Sequence, residues 1–199
     1  MALKQTPSQT VGPFFAYGLT PRQYGYPLAD VVDNRLVGDG TEGERIRIIG
    51  QVLDGAGEPV ADALVEIWQA NAHGRYNHPA DTRSDNLLDP DFTGAGRMGT
   101  GTDAENRFIF ETVKPGPIGD GQAPHVNVIV TLRGLLSHVY TRIYFSDEAA
   151  ANAADPVLAA VEESRRPTLI AERRETPAGI AYRFDIRMQG GRETVFFDV

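Results

Sequence analysis

There is no cysteine among the 199 residues, which excludes disulfides, thiolate nucleophiles, iron–sulfur clusters and every cysteine-bearing zinc site. Any metal would have to be held by nitrogen or oxygen. No apolar run approaches the roughly 20 residues of a membrane-spanning helix. The first twenty residues hold one cation, Lys4, and no apolar stretch of signal-peptide length. The reading is a cytoplasmic protein with no membrane partner. Positive charge is scarce: 19 Lys+Arg against 27 Asp+Glu leave a net charge of −8. Such a field repels nucleic acid, which is not expected as a partner, and obliges any anionic ligand to find a locally placed Arg or Lys. Also missing are a Gly-x-Ser-x-Gly elbow and a glycine-rich phosphate cradle opening a helix, so neither a serine hydrolase nor a nucleotide binder is indicated.

Turns and short alternating runs are abundant, with 21 Gly and 13 Pro. Residues 1–43 carry Pro7, Pro13, Pro21 and Pro27 with no sustained period, yet Val11, Phe14, Phe15 and Tyr17 make the segment too apolar for pure disorder. It reads as an extended N-terminal arm laid on a partner chain, with one domain over 44–199. Period two begins at Glu44, where Ile46 and Ile48 alternate with Arg45 and Arg47, and strands follow at Leu64–Trp68, Arg107–Phe110, His125–Leu132, Val139–Phe145, Tyr182–Met188 and Thr194–Phe197. Residues 70–97 have no period and read as one long loop, of the kind that is usually functional. Asp155 and Pro156 suit the cap and first position of a short helix running to Glu163. The fold class expected is mainly β: an antiparallel β-sandwich with an extended arm and a short helical excursion.

Two stretches carry the chemistry: Trp68-Gln-Ala-Asn-Ala-His-Gly-Arg-Tyr76, and Ala123-Pro-His-Val-Asn-Val128. On a strand, His125 and Asn127 share a face. Together with Lys114-Pro-Gly-Pro-Ile118 these stretches resemble the motifs of the intradiol ring-cleaving dioxygenases. The resemblance implies a ferric ion held by two Tyr and two His, a hard cation with phenolate and imidazole donors that chelates a catecholate and activates it towards O2. Transferred residue by residue, Tyr76 matches the first tyrosine and His125 the first histidine. Ile118 stands where the second tyrosine belongs and Asn127 where the second histidine belongs, and Gln122 replaces the arginine that approaches the catecholate. Tyr76, Ile118, His125 and Asn127 are read as a vestigial metal site, with no metal expected on this chain.

The resemblance is strongest to members that act on protocatechuate and are built from two homologous chains, of which only the β chain keeps the Fe(3+). It runs through Thr6-Pro-Ser-Gln-Thr-Val-Gly-Pro13, Leu132-Arg-Gly134, Thr141-Arg-Ile-Tyr-Phe145 and Glu193-Thr-Val-Phe-Phe-Asp198. It implies a homologous β partner, protocatechuate and O2 as substrates, 3-carboxy-cis,cis-muconate as product, and no catalytic residue on this chain. Thr10, Gly12, Pro13 and Arg133 would help to line the substrate pocket around the partner's iron. Glycine lets backbone approach a flat ring, and a guanidinium can hold a benzoate carboxylate. By strand parity Arg133 would share the His125 face if the strand persisted that far. Two other readings stay open, a self-sufficient ferric catechol dioxygenase and a purely structural sandwich subunit. His73, His78 and His138 read as surface or loop residues, and Trp68 as core or interface packing.

Overall fold

The computed structural model describes residues 7–199. Among them nine strands run as β1 (Arg45–Leu53), β2 (Leu64–Gln69), β3 (Ala95–Gly99), β4 (Arg107–Val113), β5 (His125–Thr131), β6 (Val139–Phe145), β7 (Ile170–Thr176), β8 (Gly179–Arg183) and β9 (Ile186–Arg187). Short helices α1 (Phe15–Leu19), α2 (Ala149–Ala154) and α3 (Pro156–Ala160) sit outside the strands. The strand order is β3-β2-β5-β6-β7-β8-β1-β4, with β9 beside β1. Strand β7 joins the two halves: Ile170 and Ala171 pair with β6, and Glu172 to Thr176 pair with β8.

Inward side chains of both halves form one core, Ile46, Ile48, Phe108 and Phe110 from one and Val65, Ile67, Val126, Val128 and Val130 from the other. Each is worth about 1.5–3 kcal/mol when fully buried. The mainly β sandwich expected from the sequence is present. Three pairings are parallel rather than antiparallel: β1 with β8, β1 with β9, and β6 with β7. Strand β3 arises inside the stretch read as a loop, because Ala-Gly-Arg-Met-Gly shows no alternation of its own and is held by the register Leu64↔Gly99 to Trp68↔Ala95. The run expected as one strand over Tyr182–Met188 is broken between β8 and β9. There the Asp185 carboxylate accepts from Gln51 N at 3.0 Å and Phe184 N donates to Ile49 O at 2.9 Å. Thr194–Phe197 makes a single bridge, Phe197 to Tyr140, rather than a strand.

The segment after the arm's helix stitches the two free edges of the sheet together. Arg35 bridges to Glu111 of β4, Leu36 is fully buried, Val37 bridges to Phe92, and Arg97 N of β3 donates to Asp33 O at 2.9 Å. Two open edges, each a template for unwanted pairing, are thereby covered by the chain's own backbone. Residues 1–6, Thr6 of the Thr-Pro-Ser-Gln stretch included, lie outside the described residues.

Candidate functional site

The residues singled out in the sequence fall at two ends of β5. At its start, the turn after β2 folds against the Lys114–Ile118 stretch. Asn71, 1% exposed, holds that turn by accepting from His73 N and Arg75 N at 2.9 and 3.0 Å and donating to Leu87 O at 2.8 Å. Gly74 sits at φ 76°, and a Cβ there would lie 2.0 Å from Pro117 O, so the Gly of the Gly-Arg-Tyr motif is required both by its backbone and by its neighbour. The turn lays Tyr76 on Trp68, rings stacked at 5.5 Å and 15°.

Tyr76, Ile118, Asp81 and Arg83 line an open cavity of about 790 Å³. Burial raises the Tyr76 phenol above its ordinary value. Its Oη accepts from Asn127 Nδ2 at 3.3 Å, and the same amide group donates to Trp68 O at 3.3 Å. Arg83 pairs with Asp81 and donates to Ile118 O, and the hydrogen bond from Arg83 holds the Asp81 carboxyl well below the usual carboxylate range.

His125 is 1% exposed, and burial lowers its pKa. Its Nδ1 lies 2.8 Å from Ala123 O, a group that can only accept, so Nδ1 carries the proton. Nε2 is left with a lone pair, sealed from solvent and without a partner among the described residues. Beside it lies a polar group that sequence reasoning only half found. Asp155, fully buried, caps α3 through Val157 N and Leu158 N at 2.8 Å and also accepts from Ala123 N at 2.8 Å and Tyr144 Oη at 3.2 Å. The capping signature was visible, whereas the link to Tyr144 depends on tertiary placement. Burial pushes the Tyr144 phenol up to about 12. Gln122 accepts from Arg142 at 2.9 Å.

At the other end, β5 stops at Thr131, so the parity argument for Arg133 does not apply. Arg133 is exposed on the following turn, its Nε paired with Asp62. Its terminal nitrogens have no partner among the described residues. The arm reaches this turn, since the Thr10 hydroxyl accepts from Gly134 N at 2.7 Å. Gly12 and Pro13 follow, both exposed, with Gly12 O accepting from Phe15 N at 3.2 Å. Thr10 and Arg133 are therefore brought together, and they are separated from His125 by a strand roughly 20 Å long at about 3.3 Å per residue. His73 bonds to Glu42 at 2.8 Å, and His78 and His138 are exposed.

Residues 26–190 match the family model described as Dioxygenase. The chain belongs to the intradiol dioxygenase family. It is 54% identical, over 99% of this chain and 98% of the other, to the protocatechuate 3,4-dioxygenase alpha chain of Burkholderia cepacia. It is 38% identical, over 81% of this chain and 71% of the other, to the beta chain from the same organism. The intradiol ring-cleavage dioxygenase of Tetranychus urticae has the same fold, with TM-score 0.60 at 18% identity, over 92% of this chain and 94% of that one.

The family is iron-dependent, but the donor set here does not fit the ion. One phenol and one imidazole remain, the phenol oxygen is engaged by Asn127, and Ile118 offers nothing. Among the described residues no group of three His, Asp or Glu could hold a metal.

Proposed function

We propose that this chain is the iron-free partner in a two-chain protocatechuate 3,4-dioxygenase, completing the substrate pocket of a homologous iron-bearing β chain. The complex would open the ring of protocatechuate between its two hydroxyl-bearing carbons, with both atoms of O2 retained in 3-carboxy-cis,cis-muconate. The observation that carries the reading is the two-ended layout of β5. The residues matching the metal-site motif cannot complete a donor set, while Thr10 and Arg133 meet on the far side, too distant to serve that pocket and exposed to a neighbour. The likeness to an alpha chain over nearly the full length supports it.

On this reading the chain binds and orients, and the ring opening takes place on the β chain, which binds the Fe(3+). With Nε held by Asp62, the terminal nitrogens of Arg133 present the fork that matches a carboxylate. That contact would fix the benzoate end of the substrate, and the arm from Thr10 to Pro13 would exclude water from the ring.

Arg133→Ala in the two-chain complex is expected to raise KM for protocatechuate about tenfold or more, the worth of one charged hydrogen-bonded pair, and to leave unsubstituted catechol unaffected. Equal loss for both substrates would remove the role given to Arg133. The chain expressed alone should be colourless and inactive in O2 uptake, and co-expression with the β chain should give one iron per β chain. Iron and activity in the lone chain would favour a self-sufficient dioxygenase instead.

A further inference from the structure

A second cleft lies where β8, the β8–β9 break and the segment around the start of β7 meet. Its volume is about 450 Å³, and its lining includes Arg165, Arg174, Arg183, Arg187 and Arg192. Five arginines thus line one concavity of a chain whose net charge is −8, although Arg183 also donates to Gln51 outside it at 2.9 Å. Two carboxylates share the lining, and both are committed: Glu172 pairs with Arg174 at 2.7 Å and Asp185 with Arg183 at 2.7 Å. Arg187 and Arg192 have no carboxylate partner among the described residues. Arg165 donates from a terminal nitrogen to Glu193 O at 2.9 Å, but its Nε is sealed from solvent with no acceptor.

The backbone under these side chains is pinned. Arg187 N donates to Thr194 Oγ1 and Thr194 N to Arg187 O, both at 2.9 Å, and Thr168 Oγ1 donates to Arg165 O at 2.8 Å. Like charges held on a rigid frame repel one another. A bound polyanion relieves that repulsion, and planar guanidinium forks match carboxylate and phosphate oxygens alike.

The geometry points to a binding site for a small polyanion, bearing two or three carboxylate or phosphate charges, in the cleft framed by Arg165, Arg187 and Arg192. The site is independent of the substrate pocket and of the function proposed above.

Isothermal titration of the full chain at constant ionic strength tests it, with propane-1,2,3-tricarboxylate, inorganic phosphate and acetate as probes. Saturable one-to-one binding is expected for the tricarboxylate, the phosphate or both, and whichever binds identifies the charge carrier; acetate should be at least tenfold weaker. Exposed Arg192→Gln should weaken binding about tenfold, and Arg187→Gln combined with Arg192→Gln further, while exposed Arg35→Gln, outside the cleft lining and beside β4, changes nothing. Binding by none of the probes, acetate binding equal to the polyanions, or an unchanged Arg192→Gln variant would each overturn the proposal. The two-chain complex should bind the same probe; loss of binding there would assign the arginines to the interface and also overturn it.

Discussion

His125 is the residue whose chemistry has been most altered by its setting. Burial disfavours its charged form, so its folded pKa lies below the ordinary value of 6.5. As pH falls, the unfolded chain takes up the proton first, and the folded state loses stability relative to it. The stabilisation is present above about pH 6.5 and is lost as pH drops below it. Urea midpoints measured from about pH 7 to about pH 5 should fall, and His125→Gln should flatten that slope; an unchanged slope would show that other groups carry it. Asp155 has a different weight. Its carboxylate meets four donors from three parts of the chain. Asp155→Ala is expected to cost about 3 kcal/mol or more, combining a lost helix cap with buried unsatisfied donors, and Asp155→Asn should recover part of it in the same denaturation experiment.

At the scale of elements, β1 is the strand most exposed to error. It changes neighbour midway, from β8 at Ile46–Ile49 to β9 at Val52–Leu53. Gly50 occupies the crossing, where a Cβ would lie 1.7 Å from Phe184 O and 2.5 Å from the Phe108 ring. Gly50→Ala is therefore expected to destabilise by about 3 kcal/mol, the upper range of overpacking, readable as a lower chemical-denaturation midpoint. Much at this scale could be read from residue order. The bounds read for Val139–Phe145 match the observed strand, and those for His125–Leu132 do so to within one residue. The elements missed are those whose residues do not advertise them. Strand β7 is hidden by the charged run Glu172-Arg-Arg-Glu175, tolerable because three of those four side chains face water. Strand β3 is glycine-rich and borrows its shape from β2. The break after β8 follows from Asp185 reaching across to β1, a contact that no local pattern encodes.

For the whole molecule, the motif residues were legible one by one, but their arrangement was not. The sequence suggested that Arg133 shared a face with His125, whereas the strand ends first and the two lie at opposite ends. The arm was likewise readable as an apolar, proline-punctuated segment, while its stitch through Leu36 across β3 and β4 was not, because it needs both edges already in place. That layout has a consequence for how the chain is made. The inner strand β1 is made before its parallel neighbour β8, with β2 to β7 synthesised in between. Until then the nascent chain carries an unpaired edge bearing Ile46, Ile48 and Ile49, which other chains can template on. A chain stopped after Thr176 should accordingly be insoluble when expressed, and the full-length chain soluble. Completion of the sandwich then waits on β8, and any subunit pairing that uses the closed sandwich has to wait with it.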